Sequence, residues 1–318
     1  MIKQNIISFG MIWVKGDGCM YEQHEAVQKM INWLEGNLSE SPLLFTMSRQ
    51  IGYSPCYCSS QFHAIVGTTL KTYVAGRRLS KAAQDIRDTN MRIIDIAMKY
   101  GFSSQQALTR AFVLAYRCTP AAYRKSPSPV PFRSKKAVLF PEYYPQKGDA
   151  NMNKTILTEA NVRTIFIPAH KYLCIRDSKV QAYYPFWEGK DCDTICGTID
   201  SMSHVAHPIL GCHTAGWFYE NGNKGYSYGL GLPLDYSGEI PDGFEVYEYP
   251  DSYYLMFYHP PFDFLKDCAE VMRRVENLAW SFDPATKGFA WNENLLQDYQ
   301  IVWPETIGYE LLRPVTKL

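Results

Sequence analysis

Four side chains that can form hydrogen bonds lie close together in the segment YGFSSQQALTRAF, residues 100–112: Gln105, Gln106, Thr109 and Arg110. The segment has no Gly or Pro after Gly101, which favours a helix with these four residues on one face and the apolar residues on another. Gln can pair with adenine, Arg with guanine, and a Thr methyl group can pack on thymine in a major groove that admits a helix. This face therefore has residue types that read base pairs, although a solvated helix surface would also be polar.

The segment belongs to a unit that occurs twice, as MSRQIGYSPCYCSSQF at 47–62 and as IAMKYGFSSQQALTRAF at 96–112. Each unit has a short apolar segment, a Gly that can adopt positive φ, a Ser that can cap the next helix, and a helix ending on Phe. Pro55 suits the first helical position because its missing N–H would have no partner there. The repetition predicts two helix-turn-helix units, which a chance polar face does not explain.

The second helix of the first unit carries mostly short side chains at its outward positions, namely Cys56, Ser59, Ser60 and His63. These side chains discriminate base pairs weakly, so we expect the second unit to read bases more selectively, unless the first relies on DNA shape or water. Basic residues available for DNA phosphates accompany both units: Arg49, Lys71, Arg77, Arg78, Lys81, Arg87, Lys99, Arg117, Arg124 and Lys125.

The elements that hold these residues are predicted to be helices from Tyr21 to Lys125. EAVQKMINWLEGNL has apolar residues at helical spacing and is expected to end near Gly36. LKTYVAGRRLSKAAQDIRDTNM is predicted to be a long connecting helix, with Arg77, Arg78 and Lys81 facing outward. Such a helix would fix the distance between the second helix of one helix-turn-helix unit and the second helix of the other. From Ser126 the chain is rich in Pro and basic residues, so 126–153 is predicted to be an extended linker.

Strand-like runs dominate the segment 154–318, and helical stretches interrupt them around 180–190 and at 262–280. This order predicts an α+β domain with an antiparallel sheet, built from two related halves. Residues 151–318 hold 28 of the 46 aromatic residues and have 22 Asp+Glu against 13 Lys+Arg. Such a composition suits an apolar or cationic small molecule, although packing of the sheet explains any single aromatic residue more simply.

Charge and cysteine usage narrow the class of protein. The first 150 residues have 19 Lys+Arg against 10 Asp+Glu, which favours an anionic partner. Nine cysteines without disulfide-framework spacing favour a reducing cytosol. Residues 1–20 are expected to be an N-terminal extension, either an ordered arm or, if Met20 is the true start, an untranslated leader.

Chemical motifs outside the helix-turn-helix units are weak. Cys192 and Cys196, with several His and Cys nearby, have the residue types for zinc or a thiol sensor, but they lack a familiar four-ligand spacing. No arrangement typical of a catalytic nucleophile can be recognised by spacing. We therefore expect no metal, no cofactor and no catalytic residues.

Residues 21–125 resemble the double helix-turn-helix DNA-binding domain of AraC-type transcriptional regulators. The resemblance depends on IGYSPCYCSSQFHAIVGTTLKTYVAGRRLSKAA and IIDIAMKYGFSSQQALTRAFVLAYRCTPAAYRK. It implies that the two second helices enter successive major-groove segments on one side of the duplex, so that one chain can bind an asymmetric site. The base-facing positions it implies are the two sets of four residues named above.

The C-terminal segments resemble the GyrI-like effector-binding domain of multidrug-sensing regulators, a duplicated β-α-β-β fold. The resemblance depends on the order of YSYGLGLPL, FEVYEYPDSYYLMFYHPPF, the following helix, DYQIVWP and GYELLRPV. It implies six ligand-binding residues: Tyr228, Tyr253, Phe262, Trp291, Gln300 and Glu310. The family often has Glu where this chain has Gln300, which weakens the case for a strongly cationic ligand, and Glu310 is an alternative source of the acid.

The sequence thus predicts a cytoplasmic, non-enzymatic transcriptional regulator, an activator, that binds double-stranded DNA through an all-α domain. Its α+β domain is expected to bind a small apolar or cationic effector and to alter DNA binding or contacts with RNA polymerase. One alternative is that the C-terminal domain is a small-molecule hydrolase. Another is that it is a fully packed interaction platform.

Overall fold

A computed structural model of the chain describes residues 18–40, 43–139, 157–220, 222–292, 296–303 and 308–318. Within this part, the chain divides into two compact units. The helical unit takes in the described residues of Val14–Tyr144 together with Asp193–His204, and the sheet unit those of Pro145–Cys192 and Val205–Leu318. The predicted N-terminal extension up to residue 17 and the predicted linker beyond residue 139 lie outside the described residues.

The N-terminal part of the helical unit is formed by α1 (Gly18–Gly36), α2 (Leu43–Ile51), α3 (Pro55–Val66), α4 (Leu70–Asp88), α5 (Ile93–Lys99), α6 (Gln105–Tyr116) and α7 (Pro120–Lys125). The pairs α2–α3 and α5–α6 are the two predicted helix-turn-helix units, and α4 is the predicted connecting helix. Gly52 and Gly101 adopt φ of 85° and 71°, a region that a Cβ disfavours. The Oγ atoms of Ser54 and Ser104 cap α3 and α6.

Each helix-turn-helix pair has its own hydrophobic core. In the first core, Met30 and Ile31 of α1 pack with Phe62 of α3. In the second, Leu108 and Phe112 of α6 pack with residues of α4, α5 and α7. Helix α4 contributes side chains to both cores, first Leu70, Tyr73 and Val74, then Leu79, Ala82, Ala83 and Ile86. It is therefore the structural link between the two helix-turn-helix pairs.

Residues 126–139, part of the predicted linker, form an extended segment that we call the strap. Val130 and Phe132 are buried in the second core, and Val138 packs against the first. The strap is also held by its backbone, because the N–H of Arg133 donates to Ser80 Oγ at 2.7 Å and that of Val138 to Gln28 Oε1 at 2.9 Å. It is thus a packed component of the helical unit, which continues beyond residue 125.

Helix α9 (Cys192–Ser201) also belongs to the helical unit from Asp193 onward, although the sequence assigned this segment to the C-terminal domain. It lies against the strap, where a Cβ added at Gly197 would be only 1.8 Å from the carbonyl oxygen of Phe132. The N–H of Val130 donates to Ser201 Oγ at 3.0 Å, and Lys136 forms an ion pair with Asp193. A backbone carbonyl and a glycine in direct contact leave no room for a side chain here.

The sheet unit is an antiparallel sheet with helices α8 (Tyr183–Trp187) and α10 (Phe264–Ser281). Its described strands are β1 (Val162–Ile167), β2 (His170–Asp177), β3 (Thr214–Glu220), β4 (Asn223–Pro233), β5 (Glu245–Tyr249), β6 (Ser252–His259), β7 (Phe289–Trp291), β8 (Tyr299–Trp303) and β9 (Gly308–Lys317). Their order is β1-β6-β9-β8-β3-β4-β2-β5, with β7 paired to β9. The predicted all-α plus α+β architecture is confirmed, whereas β7 and α9 were not predicted.

Alternation along the strands gives the sheet two faces. One face carries the aromatic core of the unit, in which Tyr172, Tyr254 and Tyr299 are fully buried. The other face is next to α10, since Arg313 of β9 donates to the carbonyl oxygen of Ala279 at 2.6 Å. The pairing of Ala215 with Gln300 joins the two halves of the sheet and places both residues on this helix-covered face.

None of the helices in the described part of the chain is both long enough and apolar enough to cross a membrane.

Candidate functional site

The predicted reading face of α6 is open to solvent. Gln105, Gln106 and Arg110 are exposed and Thr109 is half-buried, while Leu108 and Phe112 on the opposite side are completely buried. The Ser104 cap accepts the N–H of Ala107 at 3.1 Å and fixes the start of the helix. The side chains of the face are therefore free to contact another molecule, as base readout requires.

Helix α3 also presents its four predicted residues to solvent. Cys56, Ser59, Ser60 and His63 are exposed, whereas Cys58 and Phe62 are buried. At the start of this helix, the rings of Tyr53 and Tyr57 stack with centroids 4.7 Å apart. The outer face of α3 is thus exposed and carries only short or weakly discriminating side chains.

Arg77 does not contribute to the predicted basic surface. Its guanidinium is buried and forms two 2.7 Å hydrogen bonds to Glu35, which also accepts from Tyr73 at 2.9 Å. Burial acts to raise the pKa of Glu35, but the hydrogen bonds and charge of Arg77, with the bond from Tyr73, hold it below its usual value. The expectation that Arg77 faces outward is therefore wrong, because it anchors α1 to α4.

Other basic residues expected at phosphates are also engaged within the protein. Arg78 donates to the carbonyl oxygens of Leu38 and Glu40, and Arg124 to those of Ile86 and Met91. Similar internal contacts hold Lys99, at 2.8 Å from Asp85, and Arg87, with its partners Asp88 and Ser201. The exposed candidates outside these contacts are Arg49, Lys71, Arg117 and Lys125, with Lys81 half-buried. Lys99 remains exposed despite its ion pair.

The six predicted ligand-binding residues do not form a single cluster. Strand pairing places Tyr228, Tyr253, Trp291 and Gln300 on the helix-covered face of the sheet, but the three aromatic rings among them contact different neighbours. Tyr228 contacts Trp187 at 4.7 Å, Tyr253 contacts Phe166 and Phe289, and Phe262 lies in the loop after β6 beside His259. Glu310 alternates with Arg313 along β9 and therefore lies on the opposite face.

Gln300 is the centre of a buried polar network on the helix-covered face. Its Oε1 accepts from Tyr226 at 2.5 Å, and its Nε2 donates to Tyr309 at 2.7 Å and to Glu276 at 3.2 Å. Tyr309 also donates to Glu276 at 3.2 Å. Burial raises the pKa of Glu276, although the Tyr309 bond and Lys224 oppose this effect. The carboxylate beside Gln300 is thus Glu276 of α10 and not Glu310.

A cluster of tryptophans and basic residues adjoins this network. The ammonium of Lys224 lies 4.5 Å from the ring centroid of Trp217 and 4.2 Å from that of Trp280. The guanidinium of Arg313 lies 4.1 Å from Trp280 and 3.7 Å from Trp291. Burial lowers the pKa of Arg313 to about 10 and also lowers that of Lys224. We call these five residues the tryptophan–cation cluster.

Asp298, immediately before β8, is a fully buried carboxyl beside this cluster. Tyr219 donates to its Oδ2 at 3.1 Å, whereas Oδ1 has no hydrogen-bond partner among the described residues. Burial raises the pKa of Asp298 to about 7, against the opposing effects of Lys224 and Tyr219. Sequence reasoning missed Asp298, Glu276 and Lys224, because these residues meet only when the strands pair and α10 packs on the sheet.

Metal binding has no support in the described residues, which contain no group of three or more His, Cys, Asp and Glu placed to hold an ion. Cys56 on the exposed face of α3, and the buried Cys58 and Cys174, are free thiols. The described residues thus offer two candidate sites, the exposed faces of α3 and α6 and a polar, aromatic face of the sheet.

Known proteins resemble this chain mainly through about a third of its length. The helix-turn-helix domain family matches residues 47–126. The Transposon Tn10 TetD protein of Escherichia coli is 39% identical over 100 residues, 31% of this chain and 72% of that protein. The HTH-type transcriptional activator AarP of Providencia stuartii is 35% identical over 33% of this chain and 77% of its own length.

The Right origin-binding protein of Escherichia coli is 39% identical over 33% of this chain, but the match spans only 37% of that protein. Among solved structures, SAV2435 bound to tetraphenylphosphonium covers 49% of this chain at 15% identity with a TM-score of 0.35. The DNA-binding domain of AdpA in complex with a target DNA covers 32% at 21% identity with a TM-score of 0.30. At these TM-scores neither structural likeness supports a statement about what this chain binds.

Proposed function

The chain belongs to the AraC-type helix-turn-helix transcriptional regulators, and from this premise we propose that it binds a specific double-stranded DNA site and activates transcription in the cytoplasm. The two reading helices α3 and α6 enter successive major-groove segments of one duplex. A single chain then covers an asymmetric site without a partner subunit.

The observation that carries this proposal is the composition and exposure of α6. Its outer face presents two glutamines, a threonine and an arginine to solvent, over a helix whose other side is buried in the second core. Gln and Arg make two-point contacts to adenine and guanine that no other base pair can accept in the same geometry. A helix face that served only solubility would not need side chains able to make these contacts with bases.

Helix α3 has a different role in this proposal. Serine hydroxyls and a cysteine reach only a short distance from the helix, so α3 approaches the groove closely and selects DNA mainly by its shape and hydration. Phosphate contacts then come from the basic residues that the structure leaves exposed, such as Lys71 and Arg117. Arg77, Arg78 and Arg124 instead stabilise the fold.

The experiment that tests DNA recognition is selection of binding sites from random duplexes by the full-length protein. We expect one enriched motif with two parts separated by about one helical turn, the part read by α6 being the more strongly defined. Affinity for that motif should fall steeply as salt concentration rises, because phosphate contacts release counterions. If no motif is enriched, the proposal of sequence-specific DNA binding is wrong.

The sheet unit is proposed to be the effector-binding part of this regulator. Support comes from the helix-covered face, where Gln300, Glu276, Tyr226 and Tyr309 form a polar network flanked by indole rings. Aromatic surface with a few fixed polar groups is typical of small-molecule sites. Effector binding then changes the DNA-bound state or the contacts with RNA polymerase. It is tested by titrating candidate small molecules and measuring whether the affinity for the selected DNA changes.

A further inference from the structure

The aromatic faces that would attract an organic cation already hold cations of the protein itself. The Lys224 ammonium lies over the rings of both Trp217 and Trp280, which meet edge to face with centroids 5.5 Å apart. The Arg313 guanidinium lies over the rings of Trp280 and Trp291. A cation is held over an indole ring by the ring quadrupole, and one face serves one cation at a time. An incoming cation would have to displace Lys224 or Arg313 and would meet the other as a like charge.

Lys224, by contrast, is placed to receive an anion. Its side chain is half-buried, and within the described part of the chain no carboxylate oxygen lies in ion-pair distance of its ammonium. The carboxyls that face it are Asp298 and Glu276, and burial raises the pKa of both, which reduces their negative charge. The positive charge of Lys224 is therefore incompletely balanced by the described carboxyl groups around it.

A second donor on the same face also has no acceptor. Trp187 of α8 is 5% exposed, and its indole N–H has no hydrogen-bond partner among the described residues. Its ring packs on Tyr228, which lies on β4 on the same face as Lys224. Buried donors are almost always paired in folded proteins. A ligand with a hydrogen-bond acceptor would supply the missing partner of the Trp187 N–H.

We propose that the effector of this chain is a flat, apolar anion whose carboxylate or similar group pairs with Lys224, rather than an organic cation. The inference rests on the proposed effector-binding function of the sheet unit and names its ligand class. The exposed part of Trp280 supplies apolar contact area, and Lys224 supplies the charged hydrogen bond. This differs from the apolar or cationic ligand that composition alone predicted.

The test compares two probes of the same ring and opposite charge, 2-naphthoate and (2-naphthylmethyl)trimethylammonium, by calorimetric titration of the full-length protein. We expect the anion to bind at least tenfold more tightly than the cation. In Lys224→Met, which keeps an apolar stem over the two indoles, anion affinity should fall at least tenfold and the preference for the anion should disappear. Lys224→Gln serves as a second variant should the first fail to fold.

The matched control is Lys317→Met, which removes a lysine that lies 4.6 Å from the ring centroid of Tyr253 at another part of the sheet unit. It should leave the affinity for both probes unchanged. Tighter binding of the cation to the unchanged protein would overturn this inference while leaving effector binding intact. If neither probe binds at millimolar concentration, the result counts against both the anionic ligand class and effector binding by the sheet unit. Sequence-specific DNA binding is tested separately by the selection experiment.

Discussion

The backbone carbonyl of Phe132 lies where a side chain at residue 197 would begin, 1.8 Å from a Cβ built on Gly197. The strap and α9 therefore touch backbone to backbone within the helical unit. Substitution of Gly197 by Ala should force them apart, and we expect a loss of about 1–3 kcal/mol in the free energy of unfolding, as for other overpacked sites. Urea unfolding of the full chain measures this change.

The control for this substitution is Gly36→Ala, because a Cβ at Gly36 would meet nothing within 4 Å. Its stability should change by less than that of Gly197→Ala. Equal stability of both variants would mean that α9 can move away from the strap at little cost.

Arg110→Ala tests base readout. Loss of a two-point contact to guanine should weaken binding to the selected DNA by about 1–3 kcal/mol and relax selectivity at one base pair, while stability stays unchanged because Arg110 is exposed. Fluorescence anisotropy with the selected duplex and its single-base variants measures both effects. Arg92→Ala, which removes another exposed arginine of the same unit, is the control and should leave base selectivity intact.

Arg77→Met tests the buried ion pair between α4 and α1. Removing one partner leaves the Glu35 carboxylate without its two 2.7 Å hydrogen bonds, and such losses typically cost about 3–5 kcal/mol. Calorimetric melting of the full chain measures the cost. An equally large loss for Arg273→Ala, which breaks the exposed pair with Glu270, would contradict this assignment.

The ion pair between Arg77 and Glu35 also makes the helical unit less stable at low pH. Because the pKa of Glu35 is lower in the folded protein than its usual value of 4.5, the unfolded state takes up the proton first as pH falls. The stabilisation is complete above pH 4.5 and is lost as pH falls through the folded pKa. A Glu35→Gln variant should show a smaller loss of melting temperature between pH 5 and pH 3 than the unchanged protein.

Asp298 makes the stability of the folded protein depend on pH in the opposite direction. Its pKa rises from 3.8 to about 7 on folding, so its contribution is complete below about pH 4 and is lost as pH rises towards 7. Asp298→Asn should therefore raise stability at pH 8 by roughly 1–4 kcal/mol and flatten the profile between pH 4 and 7. Melting curves across this range measure it, with the exposed Asp251→Asn as control. A profile unchanged by Asp298→Asn would mean that another group causes the dependence.

The helical part of this fold could be predicted from local signals. Gly52, Gly101 and the capping serines mark the turns, and the apolar spacing marks the inner faces of α1, α4 and α6. The orientation of the reading faces follows from the same spacing, since the residues opposite Leu108 and Phe112 must face outward.

What could not be predicted depends on contacts between distant parts of the chain. Arg77 looks like a surface residue until Glu35, 42 residues away, is placed beside it. Helix α9 has a glycine in its middle and few strong helix formers, so its sequence CDTICGTIDS gives a weak local signal. Glu276 and Gln300 likewise meet only after α10 packs on the sheet, and spacing along the sequence does not reveal this.

The strap also decides where this protein can be divided. The helix-turn-helix match ends at residue 126, yet both cores are completed by side chains that come later, Val130 and Phe132 in one and Val138 in the other. A shorter version ending at 126 would retain every residue of both reading helices and still expose two apolar surfaces to water. A minimal DNA-binding fragment must therefore include the strap. Because α9 packs against the strap but comes later in the sequence, such a fragment also needs α9 joined to its C-terminal end.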